Sequence, residues 1–114
     1  LEAVDVPLLL DTGHLLAAGA DPVAALRDWR DRVDYVHLKD VDLHILDTAP
    51  DWPTAWRRNP FCELGRGDVD LRAFLSELDE YGGWLVVEQD WVPQPGDDAQ
   101  QQIAAQARNR AFVA

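Results

Sequence analysis

Three short apolar runs in this chain end in residue types that bind metals: Leu8-Leu9-Leu10-Asp11, Tyr35-Val36-His37 and Leu85-Val86-Val87-Glu88. Two carboxylates and one imidazole make a borderline-hard donor set, suited to Mn²⁺, Co²⁺, Mg²⁺ or Zn²⁺ rather than to an ion that seeks thiolates. A catalytic cation also needs open positions for substrate or water. Without the cation, two close carboxylates raise one another's pKa. A single Asp, His or Glu at the end of a strand is common, whereas three from three strands is a more specific signal.

Asp11, His37 and Glu88 are distant in sequence, so the fold has to bring them together. Each run is β-rich and is followed by a helix-like segment. Parallel strands that alternate with helices deliver their C-terminal ends to one face. The first strand spans roughly Val6 to Leu10, with Pro7 where it begins, because proline cannot donate to a central ladder. Leu15 to Gly19 reads as a short helical turn closed by glycine. Asp21-Pro22 reads as N-cap and first residue of a helix to about Arg32, with Val23, Leu26 and Trp29 at helical intervals.

The second strand spans about Val33 to Leu38, and a long polar connection from Lys39 to about Asp68 follows it. Connections of that length are functional or carry minor elements of their own. Asp68 or Asp70 caps the next helix, where Leu71, Phe74, Leu75 and Leu78 share a face, and Tyr81-Gly82-Gly83 closes it. The third strand covers Trp84 to Glu88. After Pro93, Pro95 and Gly96, Asp97 caps a helix to about Phe112 with Ile103, Ala107 and Ala111 as its inner stripe. The expected class is α/β in the order β-α-β-α-β-α, one domain over 1–114. An open three-stranded sheet has two bare edges.

Composition narrows the function. At 114 residues and 47% hydrophobic, the chain can bury a core. It begins with Leu1 and holds no methionine, which reads as a piece of a longer protein. The 21 acids against 10 bases, net −11, argue against a nucleic-acid partner, which calls for clustered Lys and Arg. They suit a protein that binds a cation or a neutral polar small molecule. No apolar run approaches the roughly 18 residues of a membrane span. The single Cys62 excludes an intramolecular disulfide, so a packed thiol in the cytoplasm is expected.

The wording around the strand ends goes further. Leu10-Asp11-Thr12-Gly13-His14, His37-Leu38-Lys39-Asp40, Leu64-Gly65-Arg66-Gly67-Asp68-Val69-Asp70 and Gly83-Trp84-Leu85-Val86-Val87-Glu88-Gln89-Asp90 resemble, in that order, the C-terminal half of the xylose-isomerase-like barrels. That family includes sugar and sugar-phosphate isomerases and epimerases, and inosose dehydratases. The resemblance implies a partial (β/α)₈ TIM barrel of about three βα units, strands six to eight, with the site at the C-terminal strand ends.

The resemblance also implies roles. Asp11, His37 and Glu88 match the family's metal ligands, and His14 matches a residue that hydrogen-bonds substrate oxygens. Glu88 matches one of two glutamates that pass protons. Its partner, the fourth ligand, comes from an earlier strand that this sequence lacks. The implied chemistry is metal-assisted proton abstraction next to a carbonyl through an enediolate. Return of the proton elsewhere gives isomerisation or epimerisation of a sugar or sugar phosphate, which is the leading reading. Loss of a β-hydroxyl gives dehydration, as in inosose dehydratases, whose pairing of His-Leu-Lys-Asp with Val-Glu-Gln-Asp is closer. The substrate is then a small sugar or cyclitol.

Blander roles stand beside these. His14 could cap its turn instead of touching substrate. Lys39 and Asp40 read either as a surface ion pair or, beside His37, as substrate-binding or supporting groups; Lys39 is taken as substrate-binding. Gln89 and Asp90 stand at the rim, where they could orient Glu88. His44, Arg57 and Arg58 read as solvated. Gly65-Arg66-Gly67 reads as a turn, since a lone Gly-x-Gly is weak evidence for phosphate binding. Trp52, Trp56 and Phe61 either line a sugar pocket or pack the long loop on itself.

Apurinic endonucleases share this barrel and a similar Asp-Thr-x-His…Ala-Ala-Gly stretch. Their Asp-x-His pair lies just before the Gly-x-Gly turn, where this chain has Asn59-Pro60-Phe61-Cys62-Glu63; Asp42-Leu43-His44 lies far upstream. A non-catalytic reading is a packing module whose bare sheet edges drive homo-oligomerisation.

Overall fold

The computed structural model describes residues 4–114. Three parallel strands carry the fold: β1 (Leu8–Asp11), β2 (Val33–Leu38) and β5 (Trp84–Val87), in the order β1-β2-β5. β1 starts directly after Pro7, so the missing N–H falls outside the ladder. β1 and β5 are the outer strands of this sheet among the described residues. They expose Leu9 and, at 71%, Trp84.

One side of the sheet holds the core. Leu10, Val36 and Leu38 are buried there, packed with Leu26 of α2 (Pro22–Trp29) and with Leu71 and Phe74 of α5 (Leu71–Ser76). Each such side chain removed from water stabilises the fold by about 1.5–3 kcal/mol. Period-two alternation sends Tyr35 and His37 to the opposite face. The core thus fixes which strand residues are left for the site.

Between β2 and α5 the chain builds a second, two-stranded antiparallel sheet from β3 (Asp40–Val41) and β4 (Phe61–Cys62), with α3 (Leu43–Thr48) and α4 (Trp52–Arg57) between them. The long connection therefore carries elements of its own. α1 (Thr12–Ala17) starts at once after β1, earlier than the expected turn from Leu15, because Asp11 caps it: its Oδ1 accepts from His14 N at 2.9 Å. Gly19 (φ +85°) closes that turn in the left-handed region that favours glycine.

All six α-helices described open on an aspartate whose side chain accepts from the first turn: Asp11, Asp21, Asp42, Asp51, Asp70 and Asp98. Apart from Asp11, these aspartates use part of the acidic surplus at helix starts rather than in a site.

Two expectations for α6 (Ala99–Val113) change. Its cap is Asp98, in a capping box with Gln101, while Asp97 Oδ2 accepts from Gln94 N at 2.6 Å and Trp91 Nε1 at 3.1 Å. Its inner face is Ala105 and Asn109, with Phe112 and Val113 partly buried. Ile103 is 61% exposed, and Ala107 and Ala111 also face solvent. The helix docks through Asn109, whose Oδ1 accepts from Leu64 N at 2.8 Å and whose Nδ2 donates to Gln89 Oε1 at 3.0 Å. A polar dock of this kind leaves no trace in a hydrophobic stripe. No helix of the described residues is long and apolar enough to cross a membrane.

Candidate functional site

Strand register brings the three metal-binding residue types together. Asp11 lies opposite His37 across β1–β2, and His37 lies opposite Val86 across β2–β5. Glu88 N donates to Leu38 O at 3.1 Å, which extends the ladder by one residue. Glu88, two places beyond Val86, returns to the His37 face. His37 Nδ1 stands 2.8 Å from Glu88 Oε2 and 3.5 Å from Asp11 Oδ2. One donor atom from each of the three residues lies within 4.8 Å of the other two, a group that can hold a metal ion.

The same alternation adds two more charges. Lys39 follows His37 by two residues, and Asp90 follows Glu88 by two. Lys39 is the only lysine of the chain, the other nine cations being arginines, and it is only 1% exposed. Its Nζ lies 2.7 Å from Asp90 Oδ2, 3.0 Å from Glu88 Oε2 and 3.2 Å from Asp11 Oδ2. Burial pulls the ammonium's pKa down, but the hydrogen bonds to Asp90 and Glu88 and the Asp11 charge together outweigh it, and the net shift is upward. A surface ion pair is therefore the wrong description of Lys39. Its partners are strand-end carboxylates, whereas Asp40 points elsewhere.

Lys39 is held at its backbone, its stem and its head. Thr12 Oγ1 donates to Lys39 O at 2.6 Å and accepts from Lys39 N at 2.9 Å. A Cβ on Gly13 would meet Lys39 Cγ at 2.8 Å, so only glycine leaves room for the stem. Lys39 Nζ also lies 4.9 Å from the Phe61 ring centroid. His14 stands at the outer rim, half-exposed, with Nε2 3.8 Å from Asp90 Oδ2 and its ring 4.8 Å from Phe61. Phe61 begins a row of rings through Trp56 (5.8 Å) to the half-exposed Trp52 (a further 6.0 Å). The long connection thus packs on itself, and the row reaches the rim.

Asp40 was under-read from sequence. It is wholly buried. Its Oδ2 accepts from Gly65 N and Gly67 N, both at 2.9 Å, and its Oδ1 from Val41 N at 2.9 Å and Val69 N at 3.1 Å. Gly65-Arg66-Gly67 is a turn wrapped around that carboxylate. The signal available in sequence was an acid two residues after a buried strand together with a distant Gly-x-Gly.

Other residues stay outside the cluster. His44, Arg57 and Arg58 are exposed, as expected. Gln89 does not orient Glu88, because its side chain turns to Asn109 of α6. Cys62 is half-buried, and burial, then the charges of Asp40 and Asp42, pushes its thiol up to about 12, which suits a packed residue rather than a nucleophile.

The donor set fits a divalent cation. Asp11, Glu88 and Asp90 bring three negative charges, and Lys39 brings one positive charge. Counted by formal side-chain charge, these four groups carry two negative charges in excess, which one such ion balances. Ligand atoms that share an ion at about 2.0–2.2 Å are neighbours at this spacing.

Residues 1–109 match the family model described as xylose isomerase-like TIM barrel. The chain is 42% identical to the inosose dehydratase of Geobacillus kaustophilus, over 77% of this chain and 30% of that protein. It is 35% identical to the inosose dehydratase of Clostridium beijerinckii, over 77% and 32%. The chain thus spans about a third of the length of these curated relatives. Among solved structures, a probable 3-DHS dehydratase, AsbF, from Bacillus anthracis superposes with a TM-score of 0.63 at 17% identity, over 95% of this chain and 38% of that one. That likeness shows the fold, and the sheet described above is part of a TIM barrel.

Proposed function

Because the chain belongs to the xylose isomerase-like TIM-barrel family, we propose that it supplies the last strands, and about half of the active site, of an enzyme that dehydrates a keto-cyclitol of the inosose class. The observation that carries the reading is the convergence of Asp11, His37 and Glu88 at three parallel strand ends, with Lys39 buried among the carboxylates. The relatives supply the reaction type. Their named activity is dehydration, which moves the dehydratase reading ahead of the sugar isomerase or epimerase reading favoured from motifs alone. The latter has the family's support and no more.

Asp11, His37 and Glu88 hold the metal in this proposal. When bound, a divalent ion such as Mn²⁺ or Co²⁺ supplies positive charge for the ketone oxygen as charge develops there. Glu88 takes the proton from the carbon next to the carbonyl. The electron pair of that C–H bond moves toward the carbonyl oxygen, and the buried ammonium of Lys39 lowers the cost of the developing anion. The C–O bond of the β-hydroxyl then breaks as the electrons return. The proton held by Glu88 is the one needed for the oxygen to leave as water, so one hydrogen and one hydroxyl are lost together. His14, at the rim, donates to a substrate hydroxyl. A second glutamate from an earlier strand completes the set.

The test uses the whole protein with a keto-inositol, following the dehydrated ketone by mass spectrometry. Turnover is expected to vanish on thorough chelation and return with Mn²⁺ or Co²⁺. Unchanged turnover without metal overturns the mechanism. Deuterium uptake from solvent without water loss favours the isomerase or epimerase reading.

A further inference from the structure

Lys39 raises a question that the proposed chemistry leaves open. Its ammonium touches oxygens of two of the three candidate ligands, Asp11 Oδ2 and Glu88 Oε2. A lysine on a mobile stem would swing away when an ion took those oxygens. This one cannot: its stem is buried, the Gly13 backbone and the Phe61 ring confine it, and Thr12 bonds its backbone on both sides. The positive charge therefore stays within a few ångströms of the ion's position. Its shortest contact, at 2.7 Å, is to Asp90, which lies outside the ligand group.

We propose that Lys39 is a resident counter-ion that holds the Asp11 and Glu88 carboxylates together until a divalent cation replaces it, and that Asp90 is the positioning residue on which the ammonium then rests. This deepens the metal-dependent reading above and rests on it. Two features favour a lysine here. A compact ammonium fits among three carboxylates, whereas a planar guanidinium demands a fork. In a chain that otherwise uses arginine for every cation, the single lysine sits at this point. The device keeps acidic ligands from repelling one another in the empty site, and it weakens metal binding by like-charge repulsion, so the ion stays exchangeable.

The experiment is Mn²⁺ binding by calorimetry on the whole protein, with thermal unfolding of the metal-free form alongside. Lys39→Met is expected to lower the Mn²⁺ Kd about tenfold or more while lowering the metal-free unfolding temperature. Asp90→Asn is expected to raise the Kd several-fold, and by less in the Lys39→Met background, because no ammonium is then left to accommodate. If Lys39→Met fails to fold, Lys39→Gln, which drops the charge and keeps a polar head, carries the same expectation. An unchanged or weaker affinity in the lysine variant overturns the counter-ion. An equal Asp90→Asn effect in both backgrounds overturns the role of Asp90. Absence of saturable Mn²⁺ binding to the unaltered protein overturns the metal reading itself.

Discussion

Lys39 and Asp40 are adjacent, both buried, and head two acidic clusters of opposite character. Around Lys39, three carboxylates share one ammonium, and the negative charge is left incompletely balanced. Around Asp40, one carboxylate accepts four backbone N–H groups and needs nothing further. Carboxylates in a strand-end cluster that remain short of charge and face the open rim are arranged for a ligand. A carboxylate saturated by the backbone of a distant loop is a structural tie. Burial alone separates neither case, since Lys39 and Asp40 are almost equally hidden. What separates them is whether the partners complete the charge and hydrogen-bond requirements.

The largest effects should divide along that line. His37→Ala in the whole protein is expected to lower turnover about a thousandfold or more, roughly 4 kcal/mol of barrier. Its cost in urea unfolding is expected to be about 1 kcal/mol or less. Asp40→Ala should do the reverse. Its four abandoned N–H groups cost about 3 kcal/mol of stability, while the folded fraction keeps its Mn²⁺ affinity. A stable Asp40→Ala protein, or one that loses metal while folded, breaks the distinction.

A smaller pair of effects comes from two glycines. A Cβ on Gly67 runs into Asp40 Oδ1 and the Val41 carbonyl oxygen, so Gly67→Ala is expected to cost about 1–3 kcal/mol with little change in the site. A Cβ on Gly13 meets the Lys39 stem instead. Gly13→Ala should therefore change Mn²⁺ affinity more than it changes stability. Equal effects on both measurements from both variants would show that the two clusters move as one.

These clusters differ in how far they were legible in the sequence. The strand-end triad was legible because β-periodicity and strand–helix alternation are local patterns, and Asp11, His37 and Glu88 each close an apolar run. Lys39 was half legible: period two places it on the His37 face, but its burial depends on Phe61 and Gly13, which come from other elements. Asp40 was not, since its partners Gly65, Gly67 and Val69 lie 25 to 29 residues away and offer backbone rather than side chains. The inner face of α6 failed for a similar reason. Asn109 docks by hydrogen bonds, whereas the more apolar Ile103 faces outward.

The smallest effect concerns an ion pair that fastens the Asp40 side from outside. Arg108 on α6 donates to both oxygens of Glu63, from Nη2 at 2.6 Å and Nε at 2.8 Å, one residue before Leu64 and the Gly-x-Gly turn. The Arg108 hydrogen bonds hold the Glu63 carboxyl below its ordinary value of 4.5, with slight burial opposing and the Arg108 and Arg66 charges assisting. A carboxyl with a lowered folded-state pKa binds fewer protons in the folded protein than in the unfolded one. Its contribution is therefore complete above the unfolded value and is lost as pH falls through the folded one. Arg108→Ala should lower the unfolding temperature slightly at neutral pH, less in high salt because Arg108 is exposed. The gap to the unaltered protein should close as the medium is acidified below about pH 4.5. A gap that persists in acid means that Arg108 acts by packing. No gap at any pH leaves the loop held by the Asp40 carboxylate and Asn109 alone.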